Sequence, residues 1–364
     1  MPALEKIVVQ NFRNIELQEL EFCANVNCIL GGNGEGKTNL LDAIHYLSVT
    51  KSAIVQNDKY AIRHGEQEFA ICGTYALESG ISAKISLRAN SKGEKKVLRD
   101  EKAYKRFSDH IGLLPVVMVS PADSALVSDS SEERRRFVNS VLSQTDREFL
   151  SDIQRYNRIL AQRNALLKED FPDAGVLETL GASMAPYAAR IHQVRKKFAA
   201  DLEPLVQQCY EVLSSGREKV GITYRSDLDK GQLENILAEN AERDRALHYT
   251  LAGIHRDDFV FTMDGEPIRR VGSQGQQKTF LVSLKFAQYA LMKERYGFAP
   301  LLLLDDLFDK LDPERTANML KMVAGRDFGQ IFQTDCNKAR ISAIMSGITQ
   351  ECEFFEARGG AFTK

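Results

Sequence analysis

The chain has 364 residues and a formal net charge of −2, with 43% hydrophobic and 27% charged residues. This composition excludes disordered and fibrous proteins, and the length predicts about two domains. No stretch approaches the roughly 18 apolar residues of a membrane-spanning helix, and the first residues lack the pattern of a secretory signal. We therefore expect a cytoplasmic protein without a membrane segment, which could bind nucleic acid only through a local basic patch.

The first 121 residues alternate short strand patterns with one helix. Apolar runs at 6–9 and 25–30 predict strands. From Lys37 the apolar residues fall at helical spacing and predict a helix. Further strands are predicted over 69–77, 81–88 and 116–120.

A basic segment covers residues 84–106, where nine basic residues face three acidic ones. A two-stranded ribbon with this charge suits contacts to DNA phosphates, which give affinity without sequence preference. A charged edge strand that deters aggregation is the alternative. The nine basic residues are Lys84, Arg88, Lys92, Lys95, Lys96, Arg99, Lys102, Lys105 and Arg106.

Residues 122–245 have a different pattern, with apolar residues mostly three or four apart, which predicts long amphipathic helices. Pro186 and Pro204 are expected to bend or break the second of them. We therefore predict an all-helical insertion at 122–245 that splits an α/β head into segments 1–121 and 246–364. The helix face at 134–136 is interpreted as solvated. Arg190, Arg195, Lys196 and Lys197 form a second candidate DNA surface.

Strand patterns resume near the end of the chain. Residues 259–263 precede Asp264-Gly265, a hairpin signal. The continuous apolar run 301–304 predicts a buried parallel strand, and a short one is expected at 331–332.

One motif has the spacing G-x-x-x-x-G-K-[ST]. In a P-loop of this kind, backbone N–H groups encircle phosphate oxygens at a helix N-terminus. Lys37 would neutralise the β- and γ-phosphates, and the Thr38 hydroxyl would bind Mg²⁺. A glycine-rich turn before an ordinary helix is the alternative. The candidate nucleotide-binding residues are Gly31, Gly32, Asn33, Gly34, Glu35, Gly36, Lys37 and Thr38.

Two further motifs lie far downstream. The strand at 301–304 ends in two acids: Asp305 suits the water shell of Mg²⁺, and Asp306 suits polarisation of an attacking water. Two acids that merely solvate a strand end are the alternative. Ser273, before Gly275 and Gln276, could present its hydroxyl to an anion at a helix start, or could simply cap that helix.

Together these motifs resemble the head of an ABC-type ATPase. Residues 273–277 resemble the signature motif, 301–306 the Walker B strand and 311–312 the D-loop. More than 230 residues separate the P-loop from the signature, as in the SMC-like branch. Further matches narrow the resemblance to the RecF family of bacterial recombination mediators. They are Asn11 to Asn14, Ser120 to Val127, Glu133 to Phe137, Gly253 to Asp258 and Gly272 to Thr279.

The resemblance implies a weak DNA-dependent ATPase that uses ATP and Mg²⁺, with Lys37 and Asp306 as catalytic residues and Thr38 and Asp305 at the metal. Two subunits would close on ATP, each placing Ser273, Gly275 and Gln276 on the other's nucleotide. The dimer would clamp single-stranded, double-stranded or gapped DNA, and slow hydrolysis would release it. The implied role is DNA replication, recombinational repair and the SOS response, with RecR as partner and RecA loading as outcome.

The sequence departs from the resemblance at three points. Ile254 stands where the family usually has proline, Asp129-Ser130-Ser131 replaces the usual Gly-Ser-Pro, and Thr334-Asp335 occupies the region of the transporter switch histidine. Whether Thr334 or Asp335 replaces that histidine stays open. Residues 255–258 fit either a structural ion-pair turn or a position near the nucleotide.

Three other functions remain open: a small-metabolite kinase, a DNA-binding scaffold that does not hydrolyse ATP, and an SMC-like chromosome protein. The signature block argues against the first, the paired acids against the second, and the missing coiled coil against the third.

Overall fold

The computed structural model describes residues 2–77, 80–307, 315–316, 318–319, 322, 328–337 and 351–364. The predicted strands and the helix from Lys37 are all present. The strands of the described chain are β1 Ala3–Phe12, β2 Ile15–Glu21, β3 Val26–Leu30, β4 Glu68–Ala76, β5 Ser82–Asn90, β6 Lys95–Arg99, β7 Lys102–Ala103, β8 Val116–Val119, β9 Val220–Arg225, β10 Asp258–Met263, β11 Glu266–Pro267, β12 Leu301–Leu304, β13 Ile331–Asp335, β14 Cys352–Arg358 and β15 Ala361–Thr363. The helices are α1 Lys37–Val49, α2 Ala125–Ser128, α3 Ser131–Thr145, α4 Arg147–Leu166, α5 Ala174–Ser214, α6 Leu233–Glu239, α7 Ala241–Leu247, α8 Ile268–Val271 and α9 Gln274–Tyr296.

The chain divides into two compact units. The first consists of Met1–Asp123 and Gln288–Lys364, and the second of Ser124–Ala287. The second unit thus begins two residues after the start of the predicted insertion and extends beyond its predicted end at 245. Strands β9, β10 and β11 and the candidate signature residues lie in this second unit.

In the first unit, two six-stranded sheets share one core with α1. The antiparallel sheet has the order β2-β1-β4-β5-β6-β7, and its strands alternate buried and exposed residues, as expected when one face is covered. Ile7, Ile71 and Ile85 from this sheet pack in the same cluster as Leu41 of α1 and Leu303 of the other sheet.

The other sheet of the first unit has the order β15-β14-β3-β13-β12-β8, and only the pairing of β14 with β15 is antiparallel. Every residue of β3, β8, β12 and β13 is buried, which explains the continuous apolar runs of β8 and β12. Polar residues of the other two strands, such as Asn27 and Thr334, form buried hydrogen bonds. Because these strands are parallel, the carboxyl ends of β3, β12 and β13 meet at one edge of the sheet. The P-loop and Asp305-Asp306 both begin at this edge.

The second unit combines helices α3 to α7 with the three-stranded sheet β11-β10-β9. Strand β9 lies inside the segment predicted to be all helical. Its Val220 and Ile222 are buried, and Tyr224 is opposite Phe259 of β10 in antiparallel register. A six-residue strand whose partner lies more than 30 residues away leaves little periodic signal in the sequence.

Helix α5 is 41 residues long and continues through both Pro186 and Pro204. The prediction that they could break the helix is wrong, although an interior proline costs about 3 kcal/mol. Buried residues on both sides of the prolines, including Met184 and Val206, hold the helix in place by packing. Of the helices that the structure describes, none has both the length and the apolar character that crossing a membrane requires.

Candidate nucleotide-binding site

The P-loop connects β3 to α1 and depends on two glycines. Gly34 and Gly36 have φ angles of 83° and 103°, in the left-handed region that favours glycine. Gly36 is also the N-cap of α1, and a Cβ atom there would lie 2.7 Å from Oδ1 of Asn14. The glycine is therefore required both for the turn and for the close approach of the chain near Asn14.

Lys37 points into the loop that precedes it. Lys37 is only 4% exposed. Its Nζ donates to the carbonyl oxygens of Gly31 at 2.9 Å and Gly32 at 2.8 Å. The loop therefore holds a cation at the N-terminus of α1, and both charge and helix dipole favour an anion there.

The last residue of the motif, Thr38, contacts the acid at the end of β12. Thr38 Oγ1 lies 2.9 Å from both carboxylate oxygens of Asp305 and donates to them. The Thr38 hydroxyl and the Asp305 carboxylate are 267 residues apart in sequence and adjacent in the fold.

Thr334, at the end of β13, connects the two acids. Its hydroxyl donates to Asp305 Oδ1 at 2.7 Å and accepts from the backbone N–H of Asp306 at 3.0 Å. The residue is completely buried. The sequence places Thr334 in the switch region but gives no sign of these contacts, which exist only because β13 lies between β3 and β12.

Both acids occupy strained or desolvated positions. Asp305 is 3% exposed, and its burial raises the pKa, with the Asp306 charge adding to the shift and hydrogen bonds from Thr334 and Thr38 opposing it. Asp306 has a φ of 43°, a left-handed conformation that is uncommon in residues other than glycine but that aspartate adopts more often than most. The Thr334 hydroxyl accepts from the Asp306 N–H and so supports the backbone in this conformation.

The last hairpin of the chain supports the P-loop, a contribution the sequence motifs did not indicate. The N–H of Gly360 donates to the Glu35 carbonyl oxygen at 2.9 Å, and the N–H of Gly359 donates to the Glu35 carboxylate. A Cβ atom at Gly31 would lie 2.6 Å from the carbonyl oxygen of Ala357 in β14. Residues more than 320 positions away therefore constrain the loop at both ends.

The oxygens of Thr38 and Asp305 fit a magnesium ion. Mg²⁺ prefers hard oxygen ligands and is usually held by one or two carboxylates together with waters and substrate phosphates. A hydroxyl in contact with a buried carboxylate provides this donor set. The described residues contain no cluster of three or more His, Cys, Asp or Glu side chains that could hold a metal ion.

The candidate signature residues lie in the second unit, at the start of α9. Ser273 Oγ accepts from the N–H of Gln276 at 3.3 Å, and Gln276 Oε1 accepts from the N–H of Ser273 at 2.7 Å. This reciprocal arrangement is a capping box. Gln276 Nε2 also donates to Glu218 at 2.7 Å. Ser273 is exposed while it caps the helix, and Gly275 lies in the first turn. The D-loop candidates Leu311 and Asp312 lie outside the described residues.

The motif at 253–258 forms a structural ion-pair network, as one of the two interpretations predicted. Asp257 and Arg195 are both buried, with Oδ2 and Nη1 2.6 Å apart, and Tyr224 donates to the same carboxylate at 2.5 Å. Arg134 pairs with Asp258 at 2.8 Å. The interpretation of 134–136 as a solvated face is therefore wrong for Arg134, which is 7% exposed, because its partner comes from a distant strand.

The basic hairpin is formed by β5, β6 and β7, and part of its charge is already neutralised. Lys95 pairs with Asp58 at 2.6 Å and donates to the Thr50 carbonyl oxygen at 2.8 Å. Arg99 pairs with Asp100 at 3.6 Å and Arg106 with Asp109 at 3.2 Å. The remaining six basic side chains are exposed: Lys84, Arg88, Lys92, Lys96, Lys102 and Lys105.

The second candidate DNA surface, on α5, consists of paired side chains. Arg190 forms two hydrogen bonds to Asp152, at 2.7 and 2.8 Å, and Arg195 is buried against Asp257. Lys196 pairs with Asp229 at 2.7 Å and Lys197 with Asp201 at 3.2 Å. These four cations are therefore a poor source of phosphate contacts.

Known proteins resemble this chain over its whole length. Residues 3–343 match the family described as RecF/RecN/SMC N terminal domain. The DNA replication and repair protein RecF of Bacteroides fragilis is 42% identical over 362 residues, covering 99% of this chain and 98% of that protein. The chain belongs to the RecF family. RecF of Flavobacterium johnsoniae is 40% identical, with coverage of 97% and 99%.

Solved structures agree with this assignment. The structure of the recombination mediator protein RecF with ATP in the RecFOR pathway superposes with a TM-score of 0.89 at 30% identity, covering 100% of this chain and 97% of the other. A Pyrococcus furiosus Smc head domain has a TM-score of 0.58 at 16% identity, covering 100% and 96%, and shares the fold. The predicted fold class, a mixed α/β head of the ABC-type ATPases, is confirmed for this RecF-family chain.

Proposed function

We propose that this protein is an ATP-dependent DNA-binding clamp of recombinational repair. The observation that carries the proposal is the contact of Thr38 and Thr334 with Asp305, which brings the P-loop, the Walker B strand and the strand between them to one point. The RecF structure with ATP supports a nucleotide at this site. The RecF name supports a role in DNA replication and repair. We extend this role to the SOS response, and we propose that the protein acts in the cytoplasm.

The chemistry assigned to the site is ATP hydrolysis. Gly31 to Gly36 would hold the phosphates through backbone N–H groups, and Lys37 would exchange its two carbonyl contacts for phosphate oxygens. Thr38 and Asp305 would hold Mg²⁺, which neutralises charge that develops on the phosphates. Asp306 would orient the attacking water and accept its proton.

The signature residues complete the site in a dimer. With ATP bound, Ser273, Gly275 and Gln276 of one subunit would contact the γ-phosphate held by the P-loop of the other. Hydrolysis removes those contacts and shifts the population back to monomers, which releases the DNA. We expect turnover to be slow and accelerated by DNA.

DNA would be held through phosphate contacts, and the exposed cations of the β5–β7 hairpin are our first candidates. Single-stranded, double-stranded and gapped DNA are all possible substrates, because phosphate contacts carry no base code. The RecFOR name supports RecR as a partner, and we extend the proposed role to the loading of RecA.

Mixing two inactive variants tests the shared site. Ser273→Arg should bind ATP with wild-type affinity, because its P-loop is intact, but should not dimerise in light scattering. Lys37→Met should lose most ATP affinity, because the charge that compensates the phosphates is gone. An equimolar mixture should recover at most one working site per dimer.

Thr223→Arg is the control, since it adds a cation at an exposed position of the same unit. It should dimerise normally with ATP. A Ser273→Arg protein that also dimerises normally would remove the signature assignment.

A further inference from the structure

An open cavity of about 320 Å³ in the second unit has an unusual charge. Four arginines and a single carboxylate line it, together with an apolar floor that includes Phe261. We call it the arginine cavity, and its charged residues are Arg134, Arg225, Asp258, Arg269 and Arg270.

The carboxylate of the arginine cavity is already neutralised. Arg134 donates to both oxygens of Asp258, at 2.8 and 3.2 Å, and to the carbonyl oxygens of Leu126 and Asp129 at 3.2 and 3.1 Å. Asp258 is also the cross-strand neighbour of Arg225. Arg134 and Asp258 therefore form an ion pair that adds no net charge to the lining of the arginine cavity.

The other three arginines have no such partner. Arg225, Arg269 and Arg270 are exposed, and in the part of the chain that the structure describes no carboxylate lies within ion-pair distance of them. Three cations converge on one concave surface and repel one another unless an anion is present. The apolar floor lowers the local dielectric constant and strengthens the attraction of such an anion.

The cations on α5 show a contrasting arrangement. Lys196, Lys197 and Arg190 each have an acidic partner. The arginine cavity differs from this helix surface because three of its guanidinium groups face one cavity and have no carboxylate partner among the described residues.

We infer that the arginine cavity binds phosphate groups of a DNA backbone. Guanidinium groups bind phosphate oxygens bidentately, and the apolar floor can accommodate the carbon atoms of the adjoining sugar. This inference rests on the proposed function and adds to it a DNA contact in the second unit, distinct from the β5–β7 hairpin in the first.

The test is a salt titration of a fluorescein-labelled duplex in the presence of ATP. The triple variant Arg225→Gln, Arg269→Gln, Arg270→Gln should reduce the slope of log K against log salt by up to about 2.7, because each lost phosphate contact removes about 0.9. The matching Arg→Lys triple variant should keep the slope and bind more weakly, because it keeps charge and loses the bidentate geometry.

The control carries the same loss of charge on paired side chains of the same unit: Lys196→Gln, Lys197→Gln, Lys230→Gln. It should change the slope by less than one. ATP affinity should be unchanged in all variants, since the P-loop is in the other unit, and circular dichroism should report native helix content.

Three results would overturn the inference. The first is a wild-type slope in the Arg→Gln triple variant. The second is loss of ATP affinity with an unchanged DNA slope, which would assign the cavity to a nucleotide triphosphate. The third is equal loss of binding to poly-L-glutamate, which would assign it to an acidic protein. Absence of any ATP-dependent DNA binding in the wild type would instead remove the proposed function together with the inference.

Discussion

Both units of the molecule bury carboxylates, but their partners differ. In the second unit Asp257 faces Arg195 at 2.6 Å and Asp244 faces Arg163 at 2.8 Å, with all four side chains at most 4% exposed. In the first unit the contacts to the Asp305 carboxylate come from the hydroxyls of Thr38 and Thr334.

The difference separates structure from function. A buried carboxylate with a guanidinium partner is electrically complete, and removal of either partner leaves an uncompensated charge. A buried carboxylate held by hydroxyls lacks a full positive partner. Burial raises the pKa of both Asp305 and Asp257, so the two arrangements differ in their partners and not in the direction of this shift. The first arrangement stabilises a fold, and the second is suited to a cation that arrives with a ligand.

The largest effect is expected from the second acid of the nucleotide site. If Asp306 positions the attacking water, Asp306→Asn should bind ATP and dimerise but hydrolyse it about 10²–10⁴-fold more slowly. Single-turnover hydrolysis measures this. Wild-type rates in the variant would break the comparison, because the site would then have a different base.

The pH dependence of stability tests the second unit. Nε2–H of His255 donates to the Thr250 carbonyl oxygen at 3.0 Å, and Nδ1 of the same ring lies 2.8 Å from Tyr156 Oη. Burial lowers the pKa of His255 from 6.5 to about 4. Because the folded state disfavours the charged ring, stability is fully present above pH 6.5 and is lost as the pH falls towards 4. The loss is about 3 kcal/mol.

His255→Gln should remove most of this pH dependence in urea unfolding at a series of pH values. His64→Gln, at an exposed histidine of the first unit, is the control and should keep the wild-type profile. Equal profiles for His255→Gln and wild type would show that the buried network of the second unit does not disfavour protonation of this ring.

The smallest effect concerns the bridge between the two acids. Thr334→Val leaves the Asp306 N–H without its acceptor and Asp305 without one donor, a cost of about 1–2 kcal/mol. Hydrolysis should fall about tenfold with a smaller change in ATP affinity, and Thr334→Ser should restore the rate. If Thr334→Ser hydrolyses ATP as slowly as Thr334→Val, the packing of the Thr334 methyl group sets the rate and the hydroxyl bridge does not.

The local parts of the site could be predicted from the sequence. The P-loop is a contiguous motif whose glycines are required by its own turns, and the apolar strand before Asp305 carries a strong signal. The contacts of Thr334 and Gly360 could not be predicted, because they arise from the order of strands in a parallel sheet and from a hairpin more than 320 residues away.

The same reason explains why the ion pairs could not be predicted. Arg134 was interpreted as solvated, and Arg190 and Lys95 as candidate DNA contacts, because their partners, Asp258, Asp152 and Asp58, are distant in sequence. The arginine cavity could not be predicted from the sequence for a similar reason. Arg225 and Arg269 belong to different elements, and no long run of basic residues marks their positions.

The central claim is that the Asp305 carboxylate binds a cation only when Mg²⁺ and ATP are present, whereas the Asp257 carboxylate is already paired with the Arg195 guanidinium. Urea unfolding of Asp305→Asn and Asp257→Asn, each with and without Mg²⁺ and ATP, tests it directly. Asp305→Asn should be at least as stable as wild type but gain nothing from Mg²⁺ and ATP. Asp257→Asn should lose about 3–5 kcal/mol and keep the ligand gain, about 2.7 kcal/mol at a hundredfold excess over Kd. A strongly destabilised Asp305→Asn that still gains full stability from Mg²⁺ and ATP would contradict the claim.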